Sequence, residues 1–377
     1  MTIDPATLFE PLRIGGMTVP NRIALAPMTR EFAPDGVPGD DVVEYYRRRA
    51  AGGTGLIITE GMAVNATGAH DGPIPLLFQP ETQLALARIA TAVTGEGACI
   101  VPQLWHVGLQ DSPTTVNPDT VKQRPPRVGP SGIYGNGKPG GSPMTDAQIA
   151  DTIADFARCA AGAMSAGCDG IEIHGAHGYL PDQFMWSRTN RRKDRYGGDV
   201  AQRSRFLAEI VAACRAATSP DFAIIARISQ WKSVDYDARL ADSADDWAAM
   251  LAPLCDAGVD AFHCSTRRFW EPAFPDGGPT LAALTRRLSG RPVIAVGSVT
   301  LERDFKQGTS ETGGGIAESA ARSAHVAQIV EAMEAGEFDM IAVGRAMIAN
   351  ADWANIVREG RADNLRPFAR EMLATLA

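Results

Sequence analysis

Within six residues the chain places two imidazoles and a phenol, in the run His174-Gly175-Ala176-His177-Gly178-Tyr179. Three kinds of chemistry fit those types at that spacing. His-x-x-His is a metal-ligand spacing, although no helix-borne Glu and no nearby Cys accompanies it. Two histidines can also be satisfied loop residues without a chemical role. In the third reading, neutral ring N–H groups stabilise negative charge developing on a carbonyl oxygen, and Tyr179 is the proton source. A phenol with an ordinary pKa near 10 can protonate a strongly basic carbanion or enolate.

The other polar candidates fall at the ends of short apolar runs. Thr29 and Arg30 follow a run at 22–25, and Glu60 and Gly61 follow one at 55–59. Gln103, Trp105 and His106 close a run at 99–104, and Arg227 lies near the end of 223–228. Gly297 and Ser298 follow 292–296, and Gly344 and Arg345 follow 340–343. Glycines at the last two places let backbone N–H groups approach a phosphate, and Arg345 adds a fork-shaped donor.

These residues need elements to position them. With further runs at 170–174 and 261–264, eight apolar stretches alternate with helical patterns along the 377 residues. Each is nearly continuous rather than alternating, as a parallel strand buried on both faces requires. One helical pattern opens on Thr145 with Gln148 three residues on, a capping box, and carries Ile149, Ile153, Phe156, Ala160 and Ala163 at helical spacing. Another begins near Asp199, with Phe206, Ile210 and Cys214 on one face. Eight strand–helix units predict an α/β fold, a single (β/α)8 TIM barrel domain spanning 1–377, with an N-terminal lead-in. A doubly wound sheet, the alternative, usually needs fewer strands. In such barrels the active site lies at the C-terminal ends of the strands, where the candidates fall. Long connections at 112–143, after the third strand, and 302–323, after the seventh, interrupt the pattern.

Composition narrows the function. At 45% hydrophobic and 21% charged residues the chain is ordinary for a globular protein. A formal charge of −8, without a basic stripe, argues against a nucleic-acid partner. There is no run of about 18 apolar residues to suggest a membrane span, and the N-terminus lacks the pattern of a signal peptide. Cys99, Cys159, Cys168, Cys214, Cys255 and Cys264 are scattered singly, which predicts reduced thiols in a cytoplasmic protein and no iron–sulfur cluster. The glycine-rich loop from Gly132 to Gly140 matches G-x-G-x-x-G, yet no strand precedes it, no helix is expected after it, and Pro139 stands where a magnesium-binding Ser or Thr would be.

Taken together, the motifs resemble the Old Yellow Enzyme family of FMN-dependent oxidoreductases over essentially the whole chain. The resemblance rests on Leu8-Phe9-Glu10-Pro11-Leu12-Arg13-Ile14-Gly15, Asn21-Arg22-Ile23, Ala26-Pro27-Met28-Thr29-Arg30 and Val101-Pro102-Gln103-Leu104-Trp105-His106. It continues through Gly170 to His174, Gln183-Phe184, Asn190 and Asp194-Arg195-Tyr196-Gly197-Gly198. It implies bound FMN, with NADH or NADPH as reductant. The flavin ring would be held by backbone at Ala26, Pro27, Met28, Thr29 and Gly61 and by the side chains of Thr29, Gln103 and Arg227. The phosphate would lie at Gly297, Ser298, Gly344 and Arg345. His174 and His177 would bind the substrate's carbonyl or nitro oxygen, and Tyr179 would protonate carbon. Trp105 would wall the substrate pocket, with the segment 265–274, including Arg267, Arg268, Phe269 and Trp270, as its cap. Thr29 excludes the branch that carries Cys there. The motif here is His-x-x-His in place of His-x-x-Asn, and Leu109 stands where many relatives carry Arg.

The function this implies is reduction of activated C=C bonds in α,β-unsaturated carbonyl or nitro compounds. Three alternatives are a dienoyl-CoA reductase or amine dehydrogenase, another FMN barrel such as a dihydroorotate-type enzyme, and a flavin-binding barrel without catalysis. The first would need a cysteine cluster and further nucleotide-binding domains, the second would not be expected to carry His-x-x-His-x-Tyr, and the third would have lost it. No metal, nucleic acid or membrane partner is expected, and the protein would act as a monomer or homo-oligomer.

Overall fold

The computed structural model describes residues 4–69, 72–110, 126–301 and 319–377. Eight parallel strands close into a barrel: β1 (Ile23–Leu25), β2 (Leu56–Ala63), β3 (Cys99–Trp105), β4 (Gly170–His177), β5 (Ala223–Lys232), β6 (Ala261–Ser265), β7 (Val293–Val296) and β8 (Met340–Val343). Each pairs with its sequence neighbours, and β8 closes on β1 through Ile341 opposite Ile23. This is the expected (β/α)8 barrel. The main connecting helices are Asp40–Ala51, Pro80–Gly95, Asp146–Ser165, Arg205–Ala217, Ala244–Asp256, Leu281–Ser289 and Ser319–Glu334, and the short helix Arg345–Ala349 follows β8. The capping box expected at Thr145 and Gln148 is present, and Asp199 caps with Gln202 in the same manner.

Side-chain alternation along the strands sorts the residues. Ala24, Leu56, Ile58, Cys99, Val101, Ala223, Ile225, Ala261, Ile294 and Met340 fill the barrel interior. Their strand neighbours, including Ile57, Ile100, Ile224 and Phe262, pack outward into the layer beneath the helices. A lead-in hairpin, Leu12–Ile14 against Met17–Val19, plugs the N-terminal end with Ile14, Met17 and Val19. Continuing the same parity toward the C-terminal ends puts Gln103, Glu172, His174, Arg227, His263 and Ser265 inside, above the apolar layers. The barrel therefore changes from apolar to polar along its axis. That polar layer is where the site lies.

Residues 111–125 of the connection after β3 and residues 302–318 of the connection after β7 lie outside the described residues. The glycine-rich segment forms a turn, with Tyr134 N–H donating to the Lys138 carbonyl at 2.9 Å and Gly137 N–H to that of Tyr134 at 2.8 Å. No helix starts there. Among the described residues no helix is long and apolar enough to cross a membrane.

Candidate active site

A cavity of about 240 Å³ opens at the C-terminal end of the barrel. Ala26, Pro27, Met28, His177, Arg227, Ser298, Gly344 and Arg345, all sequence candidates, line it. Ser265, Thr266 and Arg267, from the expected cap segment 265–274, line it too, and the structure adds Trp231 and Tyr236. Ser265 ends β6, so the strand-end rule applied to that strand would have found it as well. Nothing in local spacing announces Trp231 or Tyr236.

The end of β4 builds the imidazole pair. The pairing of β4 with β5 shifts register between Gly175 and His177, and His177 takes φ 65°, a left-handed conformation unusual for a side chain with a Cβ. Strain of this kind costs on the order of 1 kcal/mol or more and persists only where surroundings fix it. Here His177 N–H donates to Ser229 Oγ (3.1 Å), its ring stacks on Trp231 with centroids 4.3 Å apart, and its Nε2 lies 2.8 Å from Ser265 Oγ. Arg227 also donates to Ser265 Oγ, at 3.3 Å. The hydroxyl can accept from Arg227 and donate to His177 Nε2, an arrangement that leaves the His177 proton on Nδ1.

His174 is buried, and its Nδ1 has no hydrogen-bond partner among the described residues. The His174 and His177 rings meet edge-on, centroids 4.9 Å apart. Burial first, and the positive charge of Arg227 second, hold both imidazoles well below their ordinary pKa, so each is neutral at pH 7 with one N–H donor. Tyr179 stands 4.7 Å from His174 and 5.0 Å from Trp105 between ring centroids. Burial pushes its phenol up to about 12. No hydrogen bond engages its hydroxyl among the described residues, whereas its loop is firmly tied. Asp182 accepts from Gly178 N–H at 2.6 Å and from Lys232 Nζ at 2.8 Å, and both charged side chains are fully buried.

Below them Glu172 bridges two strands, accepting from Gln103 Nε2 at 2.6 Å and lying 2.5 Å from His263 Nδ1. Burial would raise this carboxyl, but His263 and then Arg227 more than offset it, and it stays below the ordinary carboxylate value.

Several candidates sit elsewhere. Thr29 is exposed just past the cavity-lining segment. Gly61 pairs across β2 and β3 with Gln103, which stays in the polar layer on Glu172, and a Cβ at Gly61 would come within 2.6 Å of the Trp105 ring. His106 is buried, accepts from Gly108 N–H at 3.1 Å, and is held down to about 3 by burial. Arg30 donates to the Thr375 carbonyl at 2.6 Å, clamping the C-terminal segment. Of the expected cap segment, Ser265, Thr266 and Arg267 line the cavity, whereas Phe269 and Trp270 do not. Phe269 packs edge-on against Phe338 at 6.0 Å and Trp270 lies 5.3 Å from the His325 ring, so Thr266 and Arg267 take their place. Phe269 N–H is held by the Gly297 carbonyl at 3.3 Å, which turns the chain away after Arg267.

The residues present suit a flavin mononucleotide. Arg227 Nε is buried without a hydrogen-bond partner among the described residues, and Arg227 lines the cavity together with Ala26, Pro27 and Met28. Gly297 has φ 154°, and a Cβ there would meet the Thr266 carbonyl at 2.7 Å. A Cβ at Gly344 would press on Met28 Sδ at 3.3 Å, narrowing the floor of the cavity. Among the described residues no group of three or more His, Cys, Asp or Glu could hold a metal ion.

Comparison with known proteins agrees with this geometry. Residues 7–324 match the model of the NADH:flavin oxidoreductase / NADH oxidase family. The chain is 31% identical to 12-oxophytodienoate reductase 7 of Oryza sativa subsp. japonica, over 92% of this chain and 86% of that protein. It is 33% identical to an NADH oxidase of Thermoanaerobacter brockii, over 95% of this chain and 52% of that one. Its backbone superposes on an old yellow enzyme homologue from Zymomonas mobilis with a TM-score of 0.77 at 26% identity, covering 97% and 96% of the two chains. For morphinone reductase the TM-score is 0.75 at 26% identity, covering 97% and 92%.

Proposed function

The chain belongs to the NADH:flavin oxidoreductase / NADH oxidase family, the Old Yellow Enzyme group, and is an FMN-dependent oxidoreductase; on that premise we propose that it reduces activated C=C bonds of α,β-unsaturated carbonyl or nitro compounds. The observation that carries this reading is the meeting of the His174, His177 and Tyr179 rings at the end of β4, with His177 lining the cavity.

The chemistry FMN supplies when bound is hydride carriage from NADH or NADPH to the β-carbon. Ala26, Pro27, Met28, Thr29, Gly61, Gln103 and Arg227 would hold its ring, and Gly297, Ser298, Gly344 and Arg345 its phosphate. His174 and His177 are neutral, so they donate N–H bonds to the substrate oxygen without releasing a proton to it. Charge that gathers on that oxygen is stabilised in a site where water competes poorly. Tyr179, protonated at any physiological pH, gives its proton to the α-carbon. Trp105, edge-on to Tyr179, holds the phenol ring in its orientation. The six unpaired thiols suit a reducing, cytoplasmic location.

Anaerobic stopped-flow mixing tests the proposal. The protein should bleach with NADH or NADPH and regain its yellow colour on mixing with an enone or nitroalkene. Recolouring by oxygen and quinones alone would exclude ene reduction.

A further inference from the structure

A second, smaller chamber adjoins the main cavity and shares Trp231, Tyr236, Ser265, Thr266 and Arg267 in its lining. Arg239, Arg268 and Glu271 complete its polar lining together with Gln230. Three guanidiniums thus stand against one carboxylate, in a chain whose formal charge is −8. The arginines are held in place. Arg267 lies over the Tyr236 ring, 4.4 Å from its centroid, and Arg268 Nη1 donates to Glu271 at 2.7 Å. Arg239 Nη1 donates to the Ala273 carbonyl at 3.1 Å, which uses one of its five N–H donors.

We propose that this chamber takes an anionic oxygen group, carboxylate or phosphate, on a molecule whose reacting end lies in the main cavity. The inference rests on the ene-reductase reading for where that reacting end sits. The five shared lining residues place the two spaces side by side, and planar guanidinium forks match the paired oxygens of both groups. The group has two sources: a carboxylate on the unsaturated substrate, or the 2′-phosphate that distinguishes NADPH from NADH. The main cavity also holds three guanidiniums, of which Arg227 and Arg345 would serve the flavin, and its aliphatic lining at Ala26, Val296, Val299 and Ala342 suits the unsaturated end.

The test uses the holoenzyme and Arg239→Gln, Arg268→Gln and the double variant. One arm compares kcat/KM for a ring-carboxylated benzylideneacetone and its methyl ester; the other compares flavin reduction by NADPH and NADH. The wild type should favour the charged member of one pair at least tenfold, and the double variant should lose at least tenfold of that preference. The pair that responds identifies the source. Raising ionic strength should erode the same preference in the wild type, a readout that stands if the variants do not fold. Ratios that are equal in wild type and variants in both arms, or insensitive to salt, overturn the proposal. If neither enone is reduced while the nicotinamides still bleach the flavin, the ene-reductase reading fails, and the nicotinamide arm still decides the chamber.

Discussion

Changing Tyr179 to Phe removes one oxygen and little else. The ring keeps its edge contacts with His174, Trp105 and His177, at 4.7, 5.0 and 6.4 Å between centroids. Because the hydroxyl has no described hydrogen bond, its loss strands no partner, and stability should change by less than about 1 kcal/mol. Burial lifts the phenol to about 12, so near neutral pH it is fully protonated and ready to donate. General acid catalysis is typically worth about 10²–10⁴-fold, roughly 3–5 kcal/mol of barrier. Anaerobic double-mixing separates the two halves of the cycle. Flavin reduction by nicotinamide should change little, enone reduction should slow by about 10²–10⁴-fold, and quinone reduction, which needs no carbon protonation, should be spared. Wild-type enone reduction should show no tyrosine ionisation below about pH 10. Equal losses with enone and quinone would remove Tyr179 from proton transfer and make it a packing residue.

Three further outcomes are expected. Arg345→Ala should weaken FMN retention by about 1.5–3 kcal/mol, read by fluorescence of released flavin; unchanged affinity would place the phosphate elsewhere. Glu60 is buried, which raises its carboxyl from 4.5 to about 7, although Arg30 and Glu31 N–H groups donate to it. The folded protein therefore keeps a proton there that the unfolded chain releases, and stability should fall by up to about 3 kcal/mol as pH rises from about 4.5 to 7. Glu60→Gln should flatten that part of the denaturation profile. Asp182→Asn leaves Lys232 as an uncompensated buried charge and should cost about 3–5 kcal/mol, whereas Asp182→Asn with Lys232→Met should recover part of it in the same urea titration.

The sequence carried the barrel because apolar runs and capping boxes are local signals. Its blind spot was the strand tops. β2, β4 and β5 run to Ala63, His177 and Lys232, beyond the apolar runs, because backbone pairing continues where side chains turn polar. Those polar extensions carry the candidate site. The strand-end candidates His177, Arg227, Gly344 and Arg345, which line the cavity, were legible as polar or glycine residues closing apolar runs. Glu172 and His263 lie 91 positions apart and make sense only as partners across the barrel, a relation no window of sequence contains. Phe269 and Trp270 misled for the opposite reason. Large aromatics suggest a pocket wall, yet their bulk is better buried beneath the helices.

The left-handed backbone at His177 also bears on what that position can become. Asn and His tolerate a φ of 65° better than most residues with a side chain, whereas a β-branched residue would clash with its own carbonyl. The His-x-x-His and His-x-x-Asn forms of this motif can therefore exchange without moving the strand end. Both side chains offer an N–H donor, so drift between them preserves backbone shape and hydrogen-bonding capacity together. Variation at this position is confined by geometry before catalysis is asked to choose.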